Sequence, residues 1–325
     1  MNDSAGIAQS TRSHAHYWQR LNQFSRIIYE PKQHLLFASL WFLSIQGLFV
    51  LHSETHTWRW GLPTLISVFT FFGVLFVLRA IDEVTDLAYD QQYNPDRPLV
   101  SGAVSMMDIR SYVIVGTLLM MAVNLVLAWP LALFVMLNIG YGLLLMWLEK
   151  AIPLMDRSLF FNLLLTYPVS IALSFYTLLQ VQFTHQVHFS PDLLLIIGCY
   201  ILAFLHFEII RKSMWQNLTA AGEKLYSAEI GTAAALTLGS LCGVLAIGGM
   251  LLINRPWQHS GAAALTGWLP LLGLLFVALS LRLFLRHRNS RFNPRQFSVP
   301  FIVSFYLFNL LHAIAGNQHQ LISGW

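Results

Sequence analysis

The sequence contains few charged residues, and this excludes most classes of soluble protein. Asp, Glu, Lys and Arg make up only 10% of its 325 residues, whereas a water-soluble domain has about a quarter. Its 19 basic and 15 acidic side chains cannot cover the surface of a 36.9 kDa soluble protein, so most of the surface must face lipid. Cysteine is also scarce. Cys199 and Cys242 lie in apolar runs, which indicates buried apolar side chains rather than a disulfide or a metal pair.

The sequence is instead rich in long apolar runs. Hydrophobic residues make up 56% of it, and its mean hydropathy is +0.59. The runs are continuously apolar and do not alternate, so they predict helices rather than the strands of a barrel. The predicted fold class is all-α, a polytopic membrane helical bundle of about nine transmembrane helices. Eight spans remain an alternative, because the third and fourth are separated only by a turn at Trp129-Pro130. The nine predicted spans cover residues 33–52, 63–81, 111–129, 130–149, 159–180, 193–212, 231–253, 266–285 and 298–317.

These spans predict three segments: a cytoplasmic N-terminal segment at 1–32, a single nine-helix transmembrane domain at 33–317, and a short C-terminal tail at 318–325. The first apolar run begins too late for a cleaved signal peptide, so it is expected to be an uncleaved anchor.

The basic residues are unevenly divided between the two sides of the predicted bundle. With a cytoplasmic N-terminus, 17 of the 19 lie on the inner side, and only Arg59 and Arg255 lie outside. This asymmetry predicts the orientation, and we expect an integral, multi-pass protein of a bacterial inner membrane with its site toward the cytoplasm. The net charge of +4 does not indicate a nucleic-acid partner. The acidic residues are concentrated on the same side, where 13 of the 15 lie, so we expect a functional role for carboxylates there.

The segment 79–102, at the cytoplasmic end of the second span, is the most informative part of the sequence. Asp82, Asp86 and Asp90 recur every four residues and would form one acidic stripe on a helix, flanked by Glu83. Like charges repel at this spacing and are costly near a membrane. A divalent cation would compensate them, and Mg²⁺ fits because it is held by carboxylates together with substrate phosphates. The alternative is a solvated, charged loop that ends the span.

Arg97 follows the acidic stripe in Asn94-Pro-Asp-Arg97-Pro-Leu. Its guanidinium could bind a diphosphate through two parallel hydrogen bonds. Alternatively, it is a local counter-charge for Asp90.

With these residues, the sequence resembles the UbiA superfamily of intramembrane prenyltransferases. That family carries Asn-Asp-x-x-Asp-x-x-x-Asp at this helix end, where this sequence has Asp82-Glu83-x-x-Asp86-x-x-x-Asp90. It continues with Asn-Pro-x-Arg-Pro-Leu-x-x-Gly, which is matched by Asn94, Arg97, Pro98 and Gly102. The resemblance implies that Asp82, Glu83, Asp86 and Asp90 bind Mg²⁺ and the diphosphate of an isoprenoid donor, together with Asn94 and Arg97. Motif specificity is confined to residues 79–102.

A second polar helix end follows four spans later, which hints at an internal duplication with one site built between the halves. Relatives in the family usually have a second Asp-rich motif here, but this chain has Glu208, Arg211 and Lys212, so that motif is largely missing. Arg211 and Lys212 could neutralise a diphosphate directly, or only anchor the helix at the lipid headgroups. Glu208 is a candidate metal ligand or an ion-pair partner of Arg211. Lys150 ends the fourth span where the family often has a diphosphate-facing lysine; a positive-inside anchor explains it equally well.

The predicted function is Mg²⁺-dependent transfer of a prenyl group from an isoprenyl diphosphate donor to a hydrophobic, possibly aromatic, acceptor. A transporter of divalent cations or organic anions is an alternative, but it would need midplane polar residues and broken helices, whereas the spans read as uninterrupted. Cyclisation of the isoprenoid is a third. The basic run from Arg282 to Arg295 is interpreted as a contact with anionic membrane lipid, and attraction of an anionic substrate is the alternative. His206 and His312 are interpreted as satisfied bundle residues rather than metal ligands, and Tyr and Phe rings in the cavity would stabilise an allylic cation.

Overall fold

The computed structural model describes residues 16–215, 218–219, 223–286 and 295–321. The predictions for residues 1–15, for the tail at 322–325, and for Arg288 and Arg291 in the basic run lie outside the described residues.

The described chain is almost entirely helical. Nine of its helical segments are long and apolar enough to cross a membrane, so the chain is a multi-pass integral membrane protein built as a polytopic helical bundle. Two short strands are also present. In chain order the elements are α1 Tyr17–Phe24, a π-helical turn Ser25–Tyr29, α2 Pro31–Leu51, β1 Thr57–Trp60, α3 Leu62–Thr85, α4 Leu87–Tyr93, α5 Met106–Leu127, α6 Trp129–Ala151, α7 Pro153–Arg157, α8 Leu159–His185, α9 Pro191–Arg211, α10 Tyr226–Ile230, α11 Thr232–Asn254, α12 Gly261–Gly267, α13 Gly273–Arg286, α14 Arg295–Gly316 and β2 Gln318–Leu321.

The boundary between the third and fourth spans is where the sequence predicts it. Ala128 alone separates α5 from α6, and its extended backbone (φ −169°, ψ 139°) turns the chain. Pro130 is the second residue of α6, where its missing N–H costs no helical hydrogen bond. The structure therefore confirms nine spans over the described residues.

The eighth span differs from the prediction, because 266–285 is not one uninterrupted helix. A 3₁₀ turn at Leu269–Leu272 separates α12 from α13. Pro270 lacks a backbone donor and cannot continue an α-helical hydrogen-bond ladder, which accounts for the break. The interrupted stretch 267–273 contains no ionisable side chain.

The chain divides into two compact units, and the first comprises Met1–Leu36 and Phe69–Ala151. Its core includes Phe24, which packs against Ala80 and Tyr112 and so holds the N-terminal helix in place. The same helix is fixed by Arg20, whose Nε and Nη2 atoms donate to the Asp108 carboxylate at 2.9 and 2.8 Å. This hydrogen-bonded pairing raises the pKa of Arg20 above its ordinary value.

The second unit comprises Phe37–Val68 and Ile152–Trp325. Helices α9 and α11 approach closely at Gly243, where a Cβ would lie 2.8 Å from the His206 ring. His206 Nδ1 is 2.8 Å from the Gly239 carbonyl oxygen, and His312 Nδ1 is 3.2 Å from the Thr266 hydroxyl. Both histidines are thus hydrogen-bonded within the helices, as interpreted from the sequence. Strands β1 and β2 pair in parallel, with Thr57 opposite Gln318.

Candidate metal and diphosphate site

The acidic segment lies where α3 ends. The helix stops at Thr85, Asp86 stands between the two helices, and α4 begins at Leu87. Backbone hydrogen bonds nevertheless continue through the junction, from Asp86 N–H to Asp82 O and from Asp90 N–H to Asp86 O, both at 2.8 Å. The four-residue spacing of the predicted stripe is therefore kept, although the helix is interrupted at its middle residue.

The four carboxylates differ strongly in exposure. The side chain of Asp82 is 60% exposed, whereas those of Glu83 and Asp90 are 1% and 3% exposed. Each buried carboxylate has an arginine partner: Arg97 Nη1 lies 2.5 Å from Glu83 Oε1 and 3.0 Å from Asp90 Oδ2, and Arg79 Nη2 lies 3.0 Å from Glu83 Oε1. Burial of these two acids is compensated by the guanidinium groups, since an unpaired buried charge would be strongly unfavourable.

The segment after α4 brings Arg97 back to the acidic residues. Asn94 ends the helix, and its side-chain amide donates to Asp90 Oδ1 at 2.8 Å. The chain then turns, with Arg97 N–H donating to Asn94 O at 3.1 Å. Gly102 has a φ of +76°, which a residue with a side chain rarely adopts. The turn from Asn94 to Arg97 thus places the guanidinium on two carboxylates.

Arg79 also belongs to this site, although no role for it was predicted from the sequence. It also lies 3.9 Å from Asp82 Oδ2, through Nη1. The sequence does contain a signal for the ion pair with Glu83: Arg79 lies four residues before it, and residues at this spacing share a helix face.

The net charge of the acidic segment matches the charge of a single Mg²⁺ ion. Four carboxylates (Asp82, Glu83, Asp86 and Asp90) opposed by two guanidinium groups (Arg79 and Arg97) leave two negative charges. Within the described residues no three His, Cys, Asp or Glu side chains are grouped closely enough to hold a metal ion by themselves. Mg²⁺ does not require such a group, since it keeps several waters and is held by one or two carboxylates with substrate phosphates. The exposed Asp82 suits that role better than the two buried acids.

The second polar helix end is an ion-pair cluster within the second unit. Glu208, with a side chain only 8% exposed, accepts from Arg211 Nε at 2.5 Å and lies 2.8 Å from Lys212 Nζ. The expected pairing of Glu208 with Arg211 is therefore present. Arg211 also lies over the Phe207 ring, 5.4 Å from its centroid. Tyr226 lies 6.0 Å from Lys212 Nζ, and burial raises the pKa of this phenol.

Lys150 is exposed at the end of α6. Among the described residues no ion pair involves it, so its predicted contact with a diphosphate stays a prediction.

Comparison with known proteins identifies the fold through solved structures. No protein-family model and no curated protein matches the sequence. The apo structure of a UbiA homolog from Aeropyrum pernix K1 matches 85% of this chain and 95% of its own, with 15% identity and a TM-score of 0.59. A structure of digeranylgeranylglyceryl phosphate synthase matches 92% of this chain and 97% of its own, with 14% identity and a TM-score of 0.56. The chain therefore shares the fold of these two structures.

Proposed function

We propose that the protein is an Mg²⁺-dependent prenyltransferase that moves a prenyl group from an isoprenyl diphosphate to a lipid-soluble acceptor, such as an aromatic compound, in the membrane. One observation carries the proposal: in a chain of UbiA-type fold, the end of an apolar helix and the short helix after it carry four carboxylates, and two arginines neutralise only half of their charge. A substrate with a charged head and an apolar tail needs such a polar helix end beside an apolar interior.

In this proposal Asp82 and Asp86 hold the metal, while Glu83 and Asp90 hold Arg79 and Arg97. Mg²⁺ would supply positive charge that stabilises the leaving diphosphate as its C–O bond breaks. The guanidinium group of Arg97 already donates to two carboxylates through Nη1, and its other N–H groups are suited to diphosphate oxygens. Asn94 keeps Asp90 in place by its amide hydrogen bond and so helps to orient Arg97. Lys150 is proposed as a further diphosphate contact.

Arg211 and Lys212 are proposed as diphosphate-binding residues of the second unit, and this is tested separately from the acidic segment. Glu208 was a candidate both for a metal ligand and for an ion-pair partner of Arg211, and its two oxygens face these two cations. We therefore give it the role of orienting Arg211 and Lys212. The membrane is proposed to be a bacterial inner membrane. Both polar helix ends are proposed to face the cytoplasm, because 17 of the 19 basic residues lie on that predicted side.

The experiment is an assay of diphosphate release. Membranes containing the protein are incubated with radiolabelled isoprenyl diphosphates, with Mg²⁺ or with a chelator, and the lipid products are identified by mass spectrometry. We expect Mg²⁺-dependent release by the wild type and a loss of about 100-fold or more in an Asp86→Ala, Asp90→Ala double variant. Asp96→Ala is the matched control, because Asp96 is an exposed acid of the same segment.

Three outcomes would contradict the proposal. Release that is equal in the double variant would exclude the acidic segment as the site. Absence of release by the wild type, with Mg²⁺-dependent uptake of cations into vesicles, would favour the transporter. Release with a cyclic hydrocarbon as the product and no prenylated acceptor would favour the cyclase.

A further inference from the structure

Helix α6 packs closely against α3 one turn before the acidic segment begins. Gly142 of α6 is buried, and a Cβ at this position would lie 2.7 Å from Leu78 Cδ2 and 3.7 Å from Ile81 Cδ1. Both helices belong to the first unit. They are the second and fourth membrane-crossing helices of the described chain, so both run toward the same side of the membrane. Residues that follow this contact on the two helices therefore lie at the same helix end.

On α3, Asp82 and Asp86 continue the side of the helix that contacts α6. Leu78, Asp82 and Asp86 recur every four residues, so they lie along one helix face. Along the axis the two acids lie about 6 and 12 Å beyond Leu78, at 1.5 Å per residue. Because Leu78 packs on Gly142, this face is directed toward α6.

On α6, Glu149 lies on the face that is directed toward the bundle interior. The buried residues of this face recur every three or four positions and include Val135, Ile139, Gly142 and Leu145. Glu149 continues the pattern four residues after the last of them and is partly buried. It lies about 10 Å beyond Gly142 along the axis, between the levels of Asp82 and Asp86. The negative charge of Glu149 acts on Asp82, which agrees with this placement.

We infer that Glu149 is a metal-positioning residue of the proposed Mg²⁺ site, and that its carboxylate accepts hydrogen bonds from water ligands of an ion held by Asp82 and Asp86. The inference rests on the proposed function. Mg²⁺ keeps several waters when protein carboxylates bind it. Carboxylates that hold the ligands of a metal strengthen its binding, and their loss lowers metal affinity by about 10–100-fold.

The charges at this helix end favour a role in cation binding. Asp82 and Glu149 are like charges on neighbouring helices, so they repel each other. Arg79 compensates this repulsion only in part, because its Nη1 lies 3.9 Å from Asp82 Oδ2 while its Nη2 pairs with Glu83 at 3.0 Å. A divalent cation beside Asp82 removes the remaining repulsion.

The test measures metal binding by the purified protein in the absence of a donor. Mn²⁺ is the probe, because it prefers the same oxygen ligands as Mg²⁺, and its binding is followed by electron paramagnetic resonance with Mg²⁺ as the competitor. We expect Glu149→Gln to raise the dissociation constant for Mn²⁺ about tenfold. Glu149→Asp keeps the charge and should recover part of the affinity. Asp96→Asn is the matched control, because it removes one exposed charge of the same segment and should leave the constant unchanged.

Thermal unfolding separates this role from a purely structural one. In the presence of a chelator, Glu149→Gln removes a repulsion, so its unfolding midpoint should equal or exceed that of the wild type. Addition of Mg²⁺ should raise the midpoint of the wild type more than that of the variant, because a ligand stabilises the folded state according to its affinity. A variant with a lower midpoint in chelator and the same gain from Mg²⁺ would show that Glu149 only supports the fold.

The failure of this inference is distinct from that of the proposed function. Equal Mn²⁺ affinity of the wild type and Glu149→Gln would overturn the role of Glu149 and leave Mg²⁺-dependent prenyl transfer intact. A wild type that binds no Mn²⁺ but releases diphosphate in an Mg²⁺-dependent way would also overturn only this inference. A wild type that binds no Mn²⁺ and releases diphosphate from no donor would overturn both.

Discussion

Arg97 donates through Nη1 to Oε1 of Glu83 at 2.5 Å, although fourteen residues separate them in the chain. The ion pair links the turn 94–97, which follows α4, to the end of α3. It also means that the acidic segment is partly neutralised by its own arginines, so its remaining charge matches one divalent cation. Arg97 is therefore both the counter-charge that the sequence suggested as an alternative and the proposed diphosphate contact.

Arg97→Ala should destabilise the first unit. It leaves Asp90, which is 3% exposed, with no guanidinium and leaves Glu83 with Arg79 only. Loss of one partner of a buried ion pair costs about 3 kcal/mol. We expect a corresponding decrease in the thermal unfolding midpoint of the purified protein in detergent.

The matched control adds Asp90→Asn to the Arg97→Ala variant. A neutral amide at this position needs no counter-charge, so the double variant should recover part of the lost stability. An Arg97→Ala protein as stable as the wild type would show that the ion pair is not important for the fold.

Asp82→Asn and Asp90→Asn should have different effects on the Mg²⁺ dependence of diphosphate release. Asp82 is exposed and proposed to contact the metal, so its loss should raise the Mg²⁺ concentration for half-maximal rate by about 10-fold or more. Asp90 is engaged by Arg97 and Asn94, so its loss should lower the maximal rate with little change in that concentration. Equal shifts in both variants would contradict the division of roles between exposed and buried acids.

Much of this architecture can be predicted from the sequence, because apolar runs of membrane length and the bias of basic residues both follow from the lipid environment. The turn between the third and fourth spans is predicted at Trp129-Pro130, next to its observed position at Ala128, because a proline near a helix start is a local signal. The contacts of Arg97 could not be predicted in full, because they depend on the turn that the chain makes between Asn94 and Arg97. The break in the eighth span was missed, since apolar composition does not distinguish an α-helix from a 3₁₀ turn at Pro270.

The pairing of the two strands illustrates the same limit. Thr57–Trp60 and Gln318–Leu321 are distant in the chain, and each is only four residues long. Short segments of this kind carry no periodicity that could predict a partner. The stacking of Trp41, Tyr200 and Tyr306 is likewise tertiary, since these residues come from helices far apart in the sequence.

Glu208→Gln should weaken the orientation of Arg211 and Lys212 without changing Mg²⁺ dependence. The carboxylate binds both cations within 2.8 Å, and a neutral amide cannot replace that charge. We expect a higher KM for the donor, by about 10-fold, with a smaller change in kcat. Glu229→Gln is the control, because Glu229 instead accepts from Leu159 N–H at the start of α8. A shift in the Mg²⁺ requirement of Glu208→Gln would restore Glu208 as a metal ligand.

Arg20→Met should release the N-terminal helix from α5. Two hydrogen bonds to Asp108 would be lost, while the Tyr17 hydroxyl would keep its 2.9 Å contact with Ser111. We expect chymotrypsin to cleave near the exposed Trp18 several times faster in the variant. Arg26→Met, which changes a basic residue in the turn that follows, should leave the cleavage rate as in the wild type.

Gln46→Leu should destabilise the second unit through a buried hydrogen-bond chain. Gln46 accepts from Trp58 Nε1 and donates to Gln180 Oε1, both at 3.0 Å, and all three side chains are fully buried. Leucine leaves a buried donor and a buried acceptor unsatisfied, at a cost of about 3 kcal/mol. Gln180→Leu removes the bond to Gln46 and a bond to the part-buried Thr184 hydroxyl, but it leaves only the Gln46 amide as a buried donor without its partner, so it should cost less. Because the two glutamines share a bond, the double variant should be destabilised by about 1 kcal/mol less than the sum of the single variants. Thermal unfolding of the four proteins measures this coupling, and strict additivity would show that the chain does not act as a unit.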